Sequence, residues 1–431
     1  MQSFDLTSEQ QAAYCYIGAA NNTFLTGRPG TGKSYLLKRI REEHGYDGGT
    51  IFVAPTGIVA RALKCPTIHS FFELPCEPLM ATEASPSQEC LWRLRACDML
   101  IIDEISMVRS DVFSEMDRRL RIAKQQDLPF GGIPVTVCGD FHQLPPVVED
   151  QLLGESLRQT YGGIFAFETE SWRKAGFRKI ALTRPMRQAD DPDFLTILNV
   201  IREDRPEIME AIARLNRQIR PREEGIPVLC CRRAEVRAIN QAKLQALPGQ
   251  AVTFKAHLRR FAPYSGQMGK ELHDLPCDEE ITLKEGCEVM VLRNQAGSCV
   301  NGDRGVVEAW TDDAVSVRLQ YNQQTALFQR EEWPVLSYGL DENGKLEIQH
   351  VASAWQFPLA VGYATTIHKA QGMTLDRVHI DIGKGCWEPG QFYVAVSRVR
   401  RLADLTLEKE VGYFDVMPAG GMSQRLKSMG L

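Results

Sequence analysis

Eight consecutive residues, Gly27-Arg28-Pro29-Gly30-Thr31-Gly32-Lys33-Ser34, carry the spacing G-x-x-x-x-G-K-S. Glycines at these places let a backbone curl until several N–H groups face one point, which suits a chain of phosphates. A helix starting here would add the partial positive charge of its N-terminus. Lys33 would reach the β- and γ-phosphates of ATP, and Ser34 would ligate Mg²⁺ beside them. Gly27, Pro29, Gly30, Thr31 and Gly32 would form the cradle. The plainer alternative is a glycine-rich turn with no ligand, and the strand before and helix after the loop argue against it.

Further along, Leu100-Ile101-Ile102-Asp103-Glu104 ends an apolar run in two carboxylates. In open α/β sheets that end of a strand is where ligands sit. Asp103 would hold Mg²⁺, directly or through water, and Glu104 is the natural general base for an attacking water. Taken alone, such a run is also how a solvated strand end reads; after a phosphate loop the chemical reading is preferred. A third segment, Val137-Cys138-Gly139-Asp140-Phe141-His142-Gln143-Leu144-Pro145-Pro146, places an amide just past another strand. Gln143 can donate to a phosphate and accept from water at once, as a γ-phosphate sensor must. The paired prolines stiffen its loop. A simple turn is the alternative.

The elements that must position these groups are legible as short apolar runs. Thr23–Thr26, Ile51–Ala54, Met99–Ile102 and Val135–Cys138 read as strands, and Ser34–Glu43 as a helix. Strands alternating with helices imply a parallel sheet covered on both faces. From about Leu247 to Trp333 the pattern changes to short strands and turns: Cys287–Leu292, then Gly305–Trp310 after the turn Asn301-Gly302-Asp303, then the cleanly alternating Ala314–Leu319. This predicts a small all-β insert. Arg377–Ile382 returns to α/β character, and Pro75–Gln88 is a Pro/Ser-rich surface excursion.

The bulk numbers bound the rest. With 431 residues the chain exceeds one ordinary core and predicts two to four domains. Its 44% apolar and 24% charged residues are those of a soluble globular protein. The net charge of −5 lacks the basic excess of many phosphate binders, but a narrow groove needs only local positive charge. Twelve cysteines, none in a Cys-x-x-Cys pair, argue against a zinc or disulfide framework and suit a reduced, cytosolic protein. No apolar run approaches a membrane span, and Met1–Asp5 lacks the start of a signal peptide, so no membrane role is expected.

These segments, in this order, resemble the superfamily-1B helicases, and the petite-integration-frequency (PIF) family most of all. The most specific part runs from Asp103-Glu104-Ile105-Ser106-Met107-Val108 through Phe113, Arg121 and Pro129-Phe130-Gly131-Gly132 to Gly139–Val147. Thr67-Ile68-His69-Ser70-Phe71-Phe72, Thr366-Ile367-His368-Lys369-Ala370-Gln371-Gly372 and Tyr393-Val394-Ala395-Val396-Ser397-Arg398 are similar to the family's other motifs. The resemblance implies two RecA-like P-loop domains of parallel sheet, with a wedge insert and an SH3-like all-β insert. The boundaries it implies are 1–180 for the first motor domain, with the wedge at about 66–90. The second would be 181–246 with 345–431, interrupted by the β insert at 247–344.

Roles follow by position. Gln10, in Leu6-Thr7-Ser8-Glu9-Gln10, matches the amide that reads the adenine edge, and Gly372 matches a nucleotide contact. Arg187 and Arg398 match the two arginines that reach the γ-phosphate and stabilise the transition state; surface caps or ion pairs are the alternative. Pro55, Thr56, His69, Ser70, Phe71, Thr366, His368 and Lys369 fall in segments that face single-stranded DNA in the family. For Phe71 and Phe72 the alternative is the core, and at least one is expected there. His142 either couples the nucleotide site to the DNA groove or is a structural hydrogen-bonder. The chain departs from the family pattern at Arg232-Arg233, where many members carry Thr-Asn.

The activity so implied is ATP- and Mg²⁺-dependent 5′-to-3′ movement on single-stranded DNA with unwinding of tailed or forked duplex. G-quadruplexes and RNA–DNA hybrids are further substrates the resemblance suggests, and repair, recombination and telomere maintenance are its settings. A compact, monomeric, cytoplasmic protein of bacterial or phage type is expected. A translocase that displaces proteins but unwinds poorly, a non-catalytic DNA scaffold and a P-loop kinase remain as alternatives. The intact chemical set argues against the scaffold, and the ordered motifs after Asp103 argue against the kinase.

Overall fold

Five parallel strands organise the first part of the chain: β1 (Thr23–Gly27), β2 (Thr50–Val53), β3 (Met99–Ile102), β4 (Val135–Gly139) and β5 (Arg178–Leu182). The first four are the apolar runs expected from sequence, and β1 and β4 are buried along their whole length. The sheet order is β2-β3-β4-β1-β5. That order sets β4 between β3 and β1, with Ile102 opposite Val137 and Thr26 opposite Gly139. The carboxyl ends of β1, β3 and β4 therefore lie side by side, about 4.8 Å from strand to strand. The three motif-bearing loops leave from one edge of the sheet, where the strand order reverses.

The structure is a computed structural model and describes residues 6–44, 49–75, 79, 85–148, 150–188, 190–261, 277–293, 295, 298–299, 302–340, 346–419 and 421–431. Met1–Asp5, Asn301 of the expected turn and most of the Pro75–Gln88 excursion lie outside the described residues. No helix among the described residues is long and apolar enough to cross a membrane.

The chain divides into two compact units, Met1–Ile226 with Ala370–Leu431, and Pro227–Lys369. In the first, α1 (Ser8–Gly18), α2 (Lys33–His44), α3 (Gly57–Ala62), α4 (Ile68–Phe72), α5 (Gln88–Arg95) and α6 (Ser110–Lys124) surround the parallel sheet, with α7 (Gln151–Tyr161) and α8 (Glu170–Ala175). One core gathers Phe24, Phe113, Phe130, Phe141, Phe167 and Trp172 beside the sheet. Another, with Leu25, Leu36, Leu37, Phe52 and Ile101, lies under α1 and α2. Beyond β5, α9 (Pro192–Glu203) starts on Asp191, whose carboxylate accepts from Phe194 N–H, with proline in the first turn. It buries Phe194, Ile197, Leu198 and Ile201, the spacing of one helical face, and α10 (Ile208–Asn216) packs beside it.

The C-terminal segment belongs to this unit. Asp191 also accepts from Leu402 N–H at 2.9 Å, and Gln188 donates to Val399 O at 3.0 Å. Leu426 enters the aromatic core, and the Arg425 guanidinium stands over the Phe165 and Phe167 rings while pairing with Glu168.

In the second unit, β6 (Val228–Cys230) leads into α11 (Arg233–Ala246). Strands β7 (Val252–Lys255), β8 (His257–Arg260) and β9 (Glu280–Leu283) follow. Next come β10 (Glu288–Val291), β11 (Arg304–Trp310), β12 (Ala314–Leu319), β13 (Thr325–Gln329), β14 (Glu331–Leu340), β15 (Leu346–Gln356), β16 (Leu359–Val361) and β17 (Ala364–Thr366). The sheet β13-β12-β11-β10-β16 is antiparallel throughout. In β12, Val315, Val317 and Leu319 point into a core with Phe328, Phe357 and Leu359, the alternation read from sequence. β17 instead pairs in parallel with β6. The all-β insert is thus framed, inside its own unit, by α/β elements.

Candidate nucleotide site and nucleic-acid face

The phosphate loop joins β1 to α2, which begins at Lys33. Lys33 Nζ lies 2.6 Å from Gly27 O and 3.1 Å from Arg28 O, folded over the loop it would complete with phosphate. Gly30 O accepts the N–H groups of Met186 and Arg187 at 2.6 and 2.9 Å. The loop is thereby fixed against the segment that carries one of the expected arginines. Gly30 has φ +80°, and a Cβ there would come within 2.6 Å of the Arg187 Cβ, so the approach requires glycine. Ser34 is exposed at the start of α2.

Gln10 reaches this loop from α1. Its backbone N–H donates to Thr7 Oγ1 at 3.2 Å, and its own Oε1 accepts from Thr7 N–H at 3.0 Å, a reciprocal cap. Its Nε2 then donates to Gly32 O at 3.4 Å. One side chain therefore starts the helix and touches the phosphate loop.

Asp103 and Glu104 follow β3. Asp103 is buried, and burial and then the neighbouring Glu104 push its pKa up to about 7, against the Glu104 N–H, the Cys138 thiol and Lys33. Glu104 sits in the left-handed region at φ 50°, ψ 48°, an uncommon place for a non-glycine residue and one met at functional sites. Its carboxylate accepts from Gln371 Nε2 at 3.4 Å. Gln143 is buried past the end of β4, and its Oε1 has no hydrogen-bond partner among the described residues. In the sensor role this oxygen would accept from a water while the amide nitrogen donates to phosphate.

The two arginines belong to the same electrostatic environment. Burial lowers the pKa of Arg187, and Glu104 opposes the drop. Burial, then the proximity of Arg187, lowers that of Arg398 to about 10, again opposed by Glu104. Arg187 Nη1 donates to Ser397 O at 3.1 Å. Arg398 is spent on its own surroundings: Val394 O at 2.7 Å, Met373 O at 3.1 Å and Ser397 Oγ at 2.7 Å. Gly372 lies in the same loop, where a Cβ would be 3.8 Å from Glu104 Oε1.

Sequence reasoning did not single out three residues of this site. Arg202, on α9, forms a double hydrogen bond with buried Asp140 at 2.7 and 3.0 Å. Burial alone would raise the Asp140 pKa, but Arg202 and His142 outweigh it and hold it well below the usual carboxylate range. Gln188 and Gln371 are buried glutamines whose Oε1 atoms have no partner among the described residues. Gln371 lies inside a motif already noted, whereas an arginine on an amphipathic helix carries no signal of its own.

The segments expected to face DNA fall in two places. In the first unit, Ala54 bridges to Thr67, with Ile68 N–H donating to Ala54 O at 2.9 Å. This brings Pro55 and Thr56, at the start of α3, beside His69 and Ser70 on α4. Thr67 caps α4 by accepting from Ser70 N–H. At two positions the surroundings are those of the alternative given from sequence. Phe71 is 5% exposed, packed edge-on to Phe72 at 5.2 Å, with the Arg93 guanidinium 5.5 Å above it. Both phenylalanines belong to the core. His142 is also internal, its Nδ1 3.2 Å from Asp140 and its Nε2 2.8 Å from Ser423 Oγ, the partners of a structural hydrogen-bonder.

In the second unit, Thr366 ends β17 and Thr366 Oγ1 accepts from Lys369 N–H at 3.5 Å. Burial, then Arg233, lowers the Lys369 pKa to about 8. Arg232, the other residue of the departing pair, starts α11, and its N–H donates to Glu235 Oε2 at 2.9 Å.

A parallel sheet with a phosphate loop at its switch point, an acidic pair at the end of β3, one strand removed, and two arginines in the field of its Glu104 define a RecA-like P-loop nucleotide-binding protein. The chain belongs to the PIF1-like helicase family, whose model matches residues 5–211. It is 32% identical over 420 residues to the ATP-dependent DNA helicase Pif1 of Bdellovibrio bacteriovorus, covering 94% of this chain and 88% of that one. It is 34% identical over 419 residues to the ATP-dependent DNA helicase PIF1 of Homo sapiens, covering 93% of this chain and 60% of the human protein. The chain thus spans somewhat under two thirds of the length of that relative. The crystal structure of the Pif1 helicase from Bacteroides in complex with ADP-AlF3 and ssDNA is similar to it with a TM-score of 0.82 and 32% identity, over 99% of this chain and 98% of that one.

Proposed function

We propose that this chain is an ATP-driven DNA helicase that moves 5′-to-3′ on single-stranded DNA and unwinds tailed or forked duplex. The observation that carries the reading is the convergence of Lys33, Asp103, Glu104, Arg187 and Arg398 in one electrostatic environment within one compact unit. In the proposed reaction, Glu104 takes a proton from water as its oxygen attacks the γ-phosphorus. The bond to the β-phosphate oxygen breaks, and ADP and phosphate leave. Gln143 would hold the γ-phosphate, and the arginines would meet charge on its equatorial oxygens. To reach phosphate, Arg398 would exchange its carbonyl partners for the γ-phosphate oxygens.

Mg²⁺ fits this site. Asp103 is a buried carboxyl lacking enough positive charge, and a divalent cation would supply it. Ser34 and Asp103 would hold the ion together with the substrate phosphates, which explains why no larger cage of His, Cys, Asp or Glu is needed; none occurs among the described residues. The ion would neutralise charge developing between the β- and γ-phosphates.

Pro55, Thr56, His69, Ser70, Thr366, His368 and Lys369 would contact the strand, mainly its phosphates. The names of the relatives and the single-stranded DNA bound by the Bacteroides protein support DNA as the track. The polarity and the extension to G-quadruplexes and RNA–DNA hybrids rest on the family resemblance. The deciding experiment is ATP hydrolysis with and without single-stranded DNA, for the native protein and Lys33→Ala, followed by unwinding of duplexes tailed at either end. Strong stimulation, lost in the variant, with unwinding only from the 5′ tail is expected. Hydrolysis indifferent to nucleic acid would overturn the proposal.

A further inference from the structure

Glu104 holds a left-handed backbone position two residues past β3, and its carboxylate caps none of the N–H groups of the short turn Ile105–Met107 that follows. Its carboxylate is met from the loop that follows the helix Ile367–Ala370. Gln371 is buried, and its Nε2 stands 3.4 Å from Glu104 Oε2 and 3.5 Å from Ser106 Oγ. The amide's Oε1 has no partner among the described residues. A buried amide half satisfied in this way holds an acceptor in reserve beside the general base.

The loop carrying Gln371 is braced on both sides. Arg398 Nη1 donates to Met373 O at 3.1 Å and Ala370 O at 3.5 Å, while Leu375 N–H donates to Arg398 O at 3.0 Å. A Cβ on Gly372 would come within 2.9 Å of Val59 Cγ2, so the loop lies directly on α3. Both sequence neighbourhoods of this loop come from the proposed DNA face: α3 follows Pro55-Thr56, and the loop itself follows His368-Lys369.

We infer that Gln371 is a positioning residue that orients Glu104 for attack, and that DNA engaged at its neighbouring segments raises ATP turnover by setting Gln371 against Glu104. This rests on the helicase reading above. An amide suits this role because it steers a carboxylate by one hydrogen bond without forming an ion pair, and its free oxygen can accept a hydrogen bond from the other O–H of the attacking water. A nucleotide that draws Arg398 off the carbonyls of Ala370 and Met373 frees the same loop to adjust. The loop then answers both to bound nucleotide and to bound DNA.

The test is a kinetic cycle with Gln371→Met, Glu104→Gln and the double variant, reading kcat, the KM for ATP and the Kd for a fluorescent oligothymidylate. In Gln371→Met we expect the DNA-stimulated kcat to fall roughly 10–100-fold, with KM and Kd held within about 3-fold. The ratio of stimulated to basal rate should fall toward one. In the Glu104→Gln background, adding Gln371→Met should cost no more than about 2-fold, because the group it positions is already disabled. Equal losses in both backgrounds, or a rise in KM or Kd with kcat unchanged, would overturn the inference. Should Gln371→Met fail to fold, Ser106→Ala removes the other anchor of the amide; it should lower kcat several-fold on its own and have no effect beside Glu104→Gln. If the native protein hydrolyses ATP without any response to DNA, the helicase reading fails, yet the cycle on the basal rate still decides whether Gln371 acts through Glu104.

Discussion

Replacing Arg202 by methionine isolates the buried charge of Asp140. Asp140 is 1% exposed and accepts from Arg202 Nε at 3.0 Å, Arg202 Nη2 at 2.7 Å and the His142 N–H at 3.2 Å. Methionine keeps much of the arginine's volume and removes its charge, leaving a buried carboxylate with His142 alone. Breaking one side of such a pair costs about 3–5 kcal/mol. In a unit of this size that is a fall in Tm on the order of 10 °C, measurable by calorimetry at pH 7. The double variant Asp140→Asn/Arg202→Met should recover part of the loss, with a coupling energy of about 1–3 kcal/mol. The pH dependence has a definite sign. In the native protein the Asp140 pKa lies below its unfolded value, so the pair's contribution is complete above about pH 4 and is lost as pH falls through the folded pKa. Without Arg202, burial raises the Asp140 pKa instead, and protonation relieves the variant sooner on acidification. The gap between native and variant should therefore narrow as pH falls. An Arg202→Met protein that melts within about 1 °C of native at pH 7, or a gap that widens in acid, would refute this account of Asp140.

Other expectations follow from the same geometry. Gly390 has φ +78°, and a Cβ there would lie 2.7 Å from His142 O and 2.9 Å from Gln143 O. Gly390→Ala should therefore cost about 2–4 kcal/mol in strain and overpacking, and should lower kcat more than it raises the KM for ATP. Gln10→Ala should raise the KM for ATP with kcat nearly unchanged, erode the preference for adenine in nucleotide competition, and lose about 1 kcal/mol from the cap of α1 in thermal melts. Affinity for single-stranded DNA should weaken as pH rises through about 8, where Lys369 loses its proton, and Lys369→Arg should flatten that dependence in fluorescence anisotropy titrations.

The sequence by itself determined which candidate chemical groups stand at the strand ends. Gly27–Ser34, Asp103-Glu104 and Gln143 each follow an apolar run long enough to be a buried strand, so local pattern placed a phosphate cradle, two carboxylates and an amide at the mouth of one sheet. The alternation in Ala314–Leu319 likewise announced a half-buried strand, because side chains on a strand change face at every residue. Arg187 and Arg398 came from family likeness, since nothing local separates them from the other arginines.

Tertiary structure decided what depends on partners distant in the chain. The order β2-β3-β4-β1-β5 is set by crossovers, and it brings Asp103 and Gln143 beside a loop that lies far earlier in the chain. Phe71 lies in a motif that the family resemblance assigns to the DNA face, yet its ring packs in the core with Phe72. His142 went to Asp140 and Ser423, and Gln371 to Glu104. In each case a short motif supplied the residue type, and burial against a remote element assigned its work. A buried polar group must find its hydrogen-bond partner wherever the fold brings one, and the local sequence does not contain that partner.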